Sequence, residues 1–376
     1  MYYIEYLISF SLAFIITLSA TPIAKKISLD IGAVDYPNSE RRLHKKPIAR
    51  LGGIAIISGF VITLLLNIVW GISGMSRVFF PDYGFIGFVI GILIIIVVGI
   101  FDDVKQLSAK FKLLFQVIAA IIVVASGIRV EVLTNPFSAE GYTVLNVYMS
   151  YIISVLWIVG ITNAINLIDG LDGLAAGVSS IASLSLFFIA LLNGDVASSF
   201  LTLILAGSAL GFLPYNFNPA KIFMGDTGAT FLGFTLSVIS IFGTLKSYAA
   251  IAIAIPILVF GLPIFDVFMT VIRRSFKGKS IMQADREHLH HRLIDMGLSH
   301  RQSVVVMYIA SAALGLCAIV LVDKGALSAL LLVIAVSIFI VGGARYMTDI
   351  SPEDDEEETE KDQKKTGKPV YGKYQK

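Results

Sequence analysis

Charge is scarce in this sequence: of its 376 residues only 15% are Asp, Glu, Lys or Arg, against about a quarter in a soluble domain. With 56% hydrophobic residues and a mean hydropathy of +0.82, the chain cannot clothe itself in water. Cysteine is nearly absent. The single Cys317 excludes an intrachain disulfide and a multi-cysteine metal centre, and leaves the redox compartment unreadable. It lies in the apolar run 312–322, where it reads as a small buried residue. Also missing are a Walker loop, a dinucleotide fingerprint and a Ser or Cys nucleophile arrangement. Gly99-Ile100-Phe101 and Leu51-Gly52-Gly53 are not phosphate-binding patterns by themselves. The N-terminus has no basic start and no cleavage site, so its apolar run reads as a spanning helix rather than a removable signal. No internal repeat stands out.

What the chain has instead is apolar runs. A spanning helix needs roughly 20 mostly apolar residues, and eleven stretches qualify, near 5–24, 51–71, 85–101, 113–130, 148–166, 174–193, 197–214, 229–245, 248–272, 303–322 and 325–344. The expected fold is therefore all-α, a polytopic transmembrane bundle of about eleven helices. The eighth and ninth, parted only by 243–248, should form a tight hairpin. Gly and Ser within the runs permit close helix–helix approach in lipid. The loops then fall into two sets. One set, with the tail from Arg345, carries 25 of the 29 Lys and Arg; the other keeps Arg77, Arg129, Lys246 and Lys324. By the positive-inside rule the N-terminus lies outside, and the basic loops and C-terminus lie in the cytoplasm. The transmembrane domain with its cytoplasmic loops is expected over 1–346. The segment 347–376, acidic over 353–358 and then Lys-rich, cannot bury a core and reads as a disordered tail.

Every unusual polar cluster falls in the basic set of loops, and acids at membrane depth tend to mark function. Asp102-Asp103 end an uncharged run; adjacent carboxylates repel unless a cation or shared proton intervenes, and Mg²⁺ with phosphate oxygens would satisfy them. A solvated turn is the plain alternative. Lys110 and Lys112 open the next helix within reach of phosphate. Asn163, Asn166, Asp169 and Asp172 crowd ten residues around Gly170 and Gly173, at spacings of three that share a helical face; such oxygens coordinate a cation or read a base edge. Asp226, between Gly225 and Gly228, offers a hard oxygen at a helix start, where backbone amides favour anions; a simple helix cap is the alternative. His288, His290, His291 and Arg292 follow Arg273-Arg274. The arginines favour phosphate over zinc, because Arg and His donate to phosphate oxygens. Asp266 is readable either as functional or as a structural partner.

Carboxylates for Mg²⁺, cations for phosphate and a membrane setting together point to phosphoryl transfer at a lipid headgroup, a reaction of charge neutralisation and alignment. The ordered motifs Leu43-His44-Lys45-Lys46-Pro47…Arg50-Leu51-Gly52-Gly53, Asp102-Asp103, 163–173, Gly225-Asp226-Thr227-Gly228 and His288-Leu289-His290-His291-Arg292 resemble the polyprenyl-phosphate N-acetylhexosamine-1-phosphate transferase family over about residues 20–320. The ending His-Leu-His-His-Arg-Leu, with 297–302 after it, resembles the bacterial branch that uses UDP-N-acetylglucosamine and undecaprenyl phosphate. That branch starts teichoic acid, O-antigen or enterobacterial antigen chains. The pentapeptide-transferring branch of peptidoglycan synthesis usually has a third consecutive His followed by Phe-Glu, where this chain has Arg292 and Leu293.

The resemblance implies eleven spans in the cell membrane with a cytoplasmic active face, a UDP-sugar donor, a polyprenyl phosphate acceptor, Mg²⁺ (or Mn²⁺) as cofactor, and no nucleic acid; a homodimer is compatible with it. It implies that Asp226 and Asn166 hold the metal. Asp102 and Asp103 would orient or deprotonate the lipid phosphate, and Lys112 would contact phosphate. Gly170 and Asp172 would read the uracil, in a stretch that includes Asn163 and Asp169, and His288, His290, His291 and Arg292 would line the pyrophosphate and sugar. A cation-coupled transporter using Asp102, Asp169 and Asp226 is the rival from another class; it predicts acids spread through membrane depth, often with repeat symmetry.

Overall fold

A computed structural model describes residues 2–36, 47–70, 83–135, 138, 142–244, 254–276, 288–324 and 334. Its helices follow the apolar runs: α1 Tyr3–Asp30, α2 Gly52–Val69, α3 Tyr83–Lys105, α4 Ala109–Ala125, α5 Val147–Leu167, α6 Leu174–Leu192, α7 Val196–Asn216, α8 Gly225–Thr244, α9 Ala254–Val259, α10 Gly261–Phe276, α11 Leu289–Asp295 and α12 His300–Lys324. Polar residues sit where helices start. Ser108, Asn146 and Asp195 cap α4, α5 and α7 by accepting the amides of Phe111, Met149 and Ser198. Two short antiparallel ladders, Val34–Asp35 with Ile48–Ala49 and Val132–Thr134 with Tyr142–Val144, are the strands among the described residues.

The bundle is built around α7 and α8. Helices α1 and α6 pack along α7, α3 and α5 flank α8, and α12 lies on α6. Phe200, Phe212, Phe231 and Phe234 are fully buried between them. The outer helices leave large apolar side chains bare, among them Leu7, Ile15, Leu65, Leu93 and Leu156. Apolar surface of this extent belongs in lipid rather than in water. The chain is a multi-pass membrane protein.

Eight of the described helices have the length and hydropathy of a span, fewer than the eleven apolar runs, for three reasons. Helix α4 has 17 residues and starts earlier than expected, at Ala109. The ninth run is broken into α9 and α10 around Phe260. Pro263 there lacks the amide that would bond back to Val259. The eleventh run, the 243–248 hairpin and the tail from 347 lie outside the described residues, apart from Ile334 and the backbone of 243–244. Helix α10 is strongly two-sided: Asp266, Thr270 and Arg274 are buried, while Phe265, Phe268 and Phe276 face outward.

Candidate active site

The polar clusters, hundreds of residues apart in places, meet at one end of the bundle. The end of α3 and the start of α8 are joined by Asp103. Its Oδ1 accepts the Asp226 amide (2.9 Å), and its Oδ2 accepts the Thr227 amide (3.0 Å) and hydroxyl (2.6 Å). Arg50 Nη2 lies 3.6 Å from Oδ1. Asp103 is thus a helix cap supplied from another helix, 3% exposed, and both its oxygens are occupied. The turn it holds needs glycine, since Gly225 has φ +72° and an added Cβ would fall 2.2 Å from the Arg50 carbonyl oxygen.

Asp102 faces the other way. Its Oδ1 accepts the Leu107 amide (2.7 Å) and its Oδ2 binds Lys112 Nζ (2.9 Å). Lys112 in turn reaches Asp226 Oδ2 at 2.5 Å, so one ammonium bridges two carboxylates from α3 and α8. The chain 47–53 seals this region from below: Gly52 and Gly53 donate to the carbonyls of Phe223 and Met224, and the Phe223 amide donates to Ala49. Neither the Lys112 bridge nor the Asp103 cap is legible from spacing alone.

Asp226 borders a cleft of about 770 Å³ whose walls include Arg50, Asn166, Asp169, Gly170, Asp172, Asn218, Lys221, His291 and His300. One wall is the turn 169–173 between α5 and α6. Asp172 Oδ2 accepts Asn218 Nδ2 and the Ala220 amide, both at 3.0 Å. The carboxyl of Asp169 is pushed up to about 8, by burial first and then by the negative Asp226 and Asp103.

Asp266 is the buried anchor of the histidine segment. Its oxygens hold His288 Nδ1 (2.9 Å) and the Leu289 amide (2.7 Å), which starts α11. His290 is buried behind Gly170, where a Cβ would come within 2.4 Å of its Nε2. Its ring lies between those of His288 and His291. Burial, reinforced by His291, pushes His290 down to about 3, so the imidazole is neutral at any physiological pH.

Of the residues expected to act, Asn166, Asp169, Gly170, Asp172, Asp226 and His291 line the cleft, and Asp102, Asp103 and Lys112 adjoin it through Asp226. Others stand elsewhere. Asn163 ties α5 to α4 by donating to Gln116 Oε1 at 2.7 Å, His288 and His290 stand behind the wall, and Arg292 is exposed. Lys25, Arg50, Lys221 and His300 line the cleft without having been assigned a role from sequence. For Arg50 the signal was its place beside Leu51-Gly52-Gly53, and for Lys221 its place before the Gly225 motif. Among the described residues no group of three or more His, Cys, Asp or Glu side chains converges on one point suited to a metal.

Residues 85–244 match the model of glycosyl transferase family 4. A Bacillus subtilis protein named "probable undecaprenyl-phosphate N-acetylglucosaminyl 1-phosphate transferase" is 43% identical over 318 residues, 85% of each chain. This chain belongs to glycosyl transferase family 4. Two further relatives extend the likeness. The decaprenyl-phosphate N-acetylglucosaminephosphotransferase of Mycolicibacterium smegmatis is 34% identical, over 88% of this chain and 85% of its own. The undecaprenyl-phosphate alpha-N-acetylglucosaminyl 1-phosphate transferase of Salmonella typhi is 27% identical, over 78% and 77%. The matched family region, from α3 to α8, contains Asp102, Asp103, Lys112, the turn 169–173 and Asp226.

Proposed function

We propose that this family 4 protein transfers N-acetylglucosamine 1-phosphate from UDP-N-acetylglucosamine to undecaprenyl phosphate at the cytoplasmic face of the membrane, with Mg²⁺. The lipid-linked sugar would begin a cell-envelope polysaccharide. The observation that carries the reading is the Asp102–Lys112–Asp226 bridge at the edge of a polar cleft large enough for a nucleotide sugar, in a bundle otherwise clad in apolar residues. The names of the relatives support the donor sugar and the polyprenyl acceptor. The excess of Lys and Arg in the loops at this end supports the cytoplasmic placement.

The donor set suits Mg²⁺. Asp226 and Asn166 present hard oxygens to the cleft beside Asp169, and Mg²⁺ is commonly held by one or two protein ligands with water and phosphate completing its shell. Asp226 and Asn166 would hold it. Bound there, the ion would neutralise charge on the donor pyrophosphate. Arg50 and Lys221 supply fixed positive charge along the same wall. Lys112 holds the acid pair together and offers its ammonium to an incoming phosphate, while Asp102 orients Lys112. An oxygen of the lipid phosphate forms a bond to the β-phosphorus of the donor. The bond from that phosphorus to the bridging oxygen breaks, and UMP leaves with the electron pair. The products are UMP and undecaprenyl diphosphate N-acetylglucosamine. In this reading the lipid phosphate attacks the donor's phosphoanhydride directly, with no protein nucleophile, so the residues supply alignment and charge.

The test offers purified full-length protein undecaprenyl phosphate with either UDP-N-acetylglucosamine or the UDP-N-acetylmuramoyl-pentapeptide, following UMP and labelled lipid with Mg²⁺ or with EDTA. Product from the first donor alone, dependent on added Mg²⁺, is expected. Product from the pentapeptide donor, or undiminished turnover in EDTA, overturns the respective part of the reading.

A further inference from the structure

Helix α12 grips the cleft from behind. Its start is fixed by a reciprocal cap: Ser299 Oγ accepts the Gln302 amide (3.3 Å), and Gln302 Oε1 accepts the Ser299 amide (2.8 Å). That sets His300 in the first turn, where its Nε2 accepts the Asp172 amide at 2.8 Å. The ring proton must then sit on Nδ1. Two turns later the Tyr308 hydroxyl donates to the Gly173 carbonyl at 2.5 Å, and the Tyr308 ring occupies the space a Cβ on Gly177 would need. Arg301 Nε donates to the Asn218 carbonyl at 3.0 Å. One helix end therefore holds both the turn 169–173 and the segment 216–221, which Asp172 Oδ2 already ties together.

We propose that His300 is a positioning residue for the nucleotide donor: by accepting the Asp172 amide it fixes the register of the turn 169–173 and so sets donor affinity. The inference rests on the reading of the cleft as a UDP-sugar site. The acceptor should be indifferent to it, because the Asp102–Lys112 pair lies beyond Asp226 and has no bond to α12. A residue that merely packed α12 against α6 would weaken the whole protein and affect both substrates alike.

Full-length His300→Ala, His300→Asn, His300→Gln and Tyr308→Phe variants separate these cases. The readouts are KM for UDP-N-acetylglucosamine, KM for undecaprenyl phosphate, kcat, and hydrogen–deuterium exchange of the peptide covering 166–176. Loss of one accepted hydrogen bond in His300→Ala should raise donor KM roughly five- to tenfold, with kcat and lipid KM moving less than about twofold. His300→Gln should recover most of the affinity, because its Oε1 reaches where Nε2 stood. His300→Asn should not, because its oxygen stops at the place of Nδ1. Tyr308→Phe should raise donor KM in the same direction. Exchange in 166–176 should quicken in the Ala and Asn variants and stay slow in Gln. The proposal is overturned if Gln is no better than Ala, if both KM values rise together, or if exchange in His300→Ala matches wild type. Should the wild type transfer nothing from this donor, the functional reading falls by itself. The exchange pattern then decides whether His300 holds the turn.

Discussion

Two neighbouring aspartates should fail in different ways. Asp103 caps α8 with three accepted hydrogen bonds, two of them from buried backbone amides, and sits 3.6 Å from Arg50. In Asp103→Ala both amides and the Thr227 hydroxyl lose their acceptor and Arg50 loses its ion-pair partner, and breaking a buried charged arrangement of this kind costs about 3–5 kcal/mol. Asp103→Asn keeps one acceptor oxygen but turns an NH2 group toward an amide or hydroxyl donor, for about 1–3 kcal/mol. At roughly 2 °C per kcal/mol for a chain of this size, Asp103→Ala should unfold about 6–10 °C below wild type. Asp102→Asn behaves otherwise. Its oxygen still accepts the Leu107 amide, while the charge facing Lys112 is gone. Turnover should fall by roughly a hundredfold or more, with the unfolding midpoint shifting by less than about 3 °C. Thermal unfolding in detergent, read beside UMP release, separates the two. If Asp103→Ala unfolds with the wild type, or Asp102→Asn loses as much stability as Asp103→Ala, the division of labour is wrong.

Asp226→Ala should abolish UMP release and leave the unfolding midpoint near wild type, because its side-chain partners Lys112 and Asp102 stay paired with each other; full turnover would contradict its assignment. Asn163→Ala should leave both KM values unchanged yet destabilise by about 1–3 kcal/mol, since it strands the buried amide oxygen of Gln116. His290 predicts a pH effect on stability. Its folded value, about 3, lies below the unfolded value, so the unfolded chain binds the proton first. The His290 contribution is unaffected above about pH 6.5 and becomes unfavourable as pH drops below it, by about 2 kcal/mol at pH 5. The difference in unfolding midpoint between His290→Asn and unliganded wild type should therefore shift in favour of the variant from pH 7.5 to 5, while the raised Asp169 and the other titrating acids of the site act equally on both.

Hydropathy marks most of these helices because lipid-facing and core-facing surfaces are both apolar, so the runs are nearly continuous. The same continuity conceals breaks. Pro256, Gly261 and Pro263 were visible inside the ninth run, but an apolar window averages over them. The site was legible as a set of clusters, since Asp102, Asp169 and Asp226 have no business in apolar sequence without a partner. Which partner each one takes was not, because Asp103 caps a helix 124 positions away and no local pattern records that. Asn163 and Asn166 share a helical spacing yet separate, one toward Gln116 and one toward the cleft, since the helix face is divided between neighbours. His300 was countable as one histidine among five. Its signal was the Ser-x-x-Gln cap around it, which fixes the helix start and with it the ring's place.

Because an oxygen pair from α3 decides where α8 begins, Asp226 is carried by two rods at once rather than by a pliable loop. Any sliding of one rod along the other moves the Asp226 carboxylate with it. Such an enzyme feels the bilayer as a spacer: a membrane thick or thin enough to shift the rods would dim the chemistry while the bundle stayed whole.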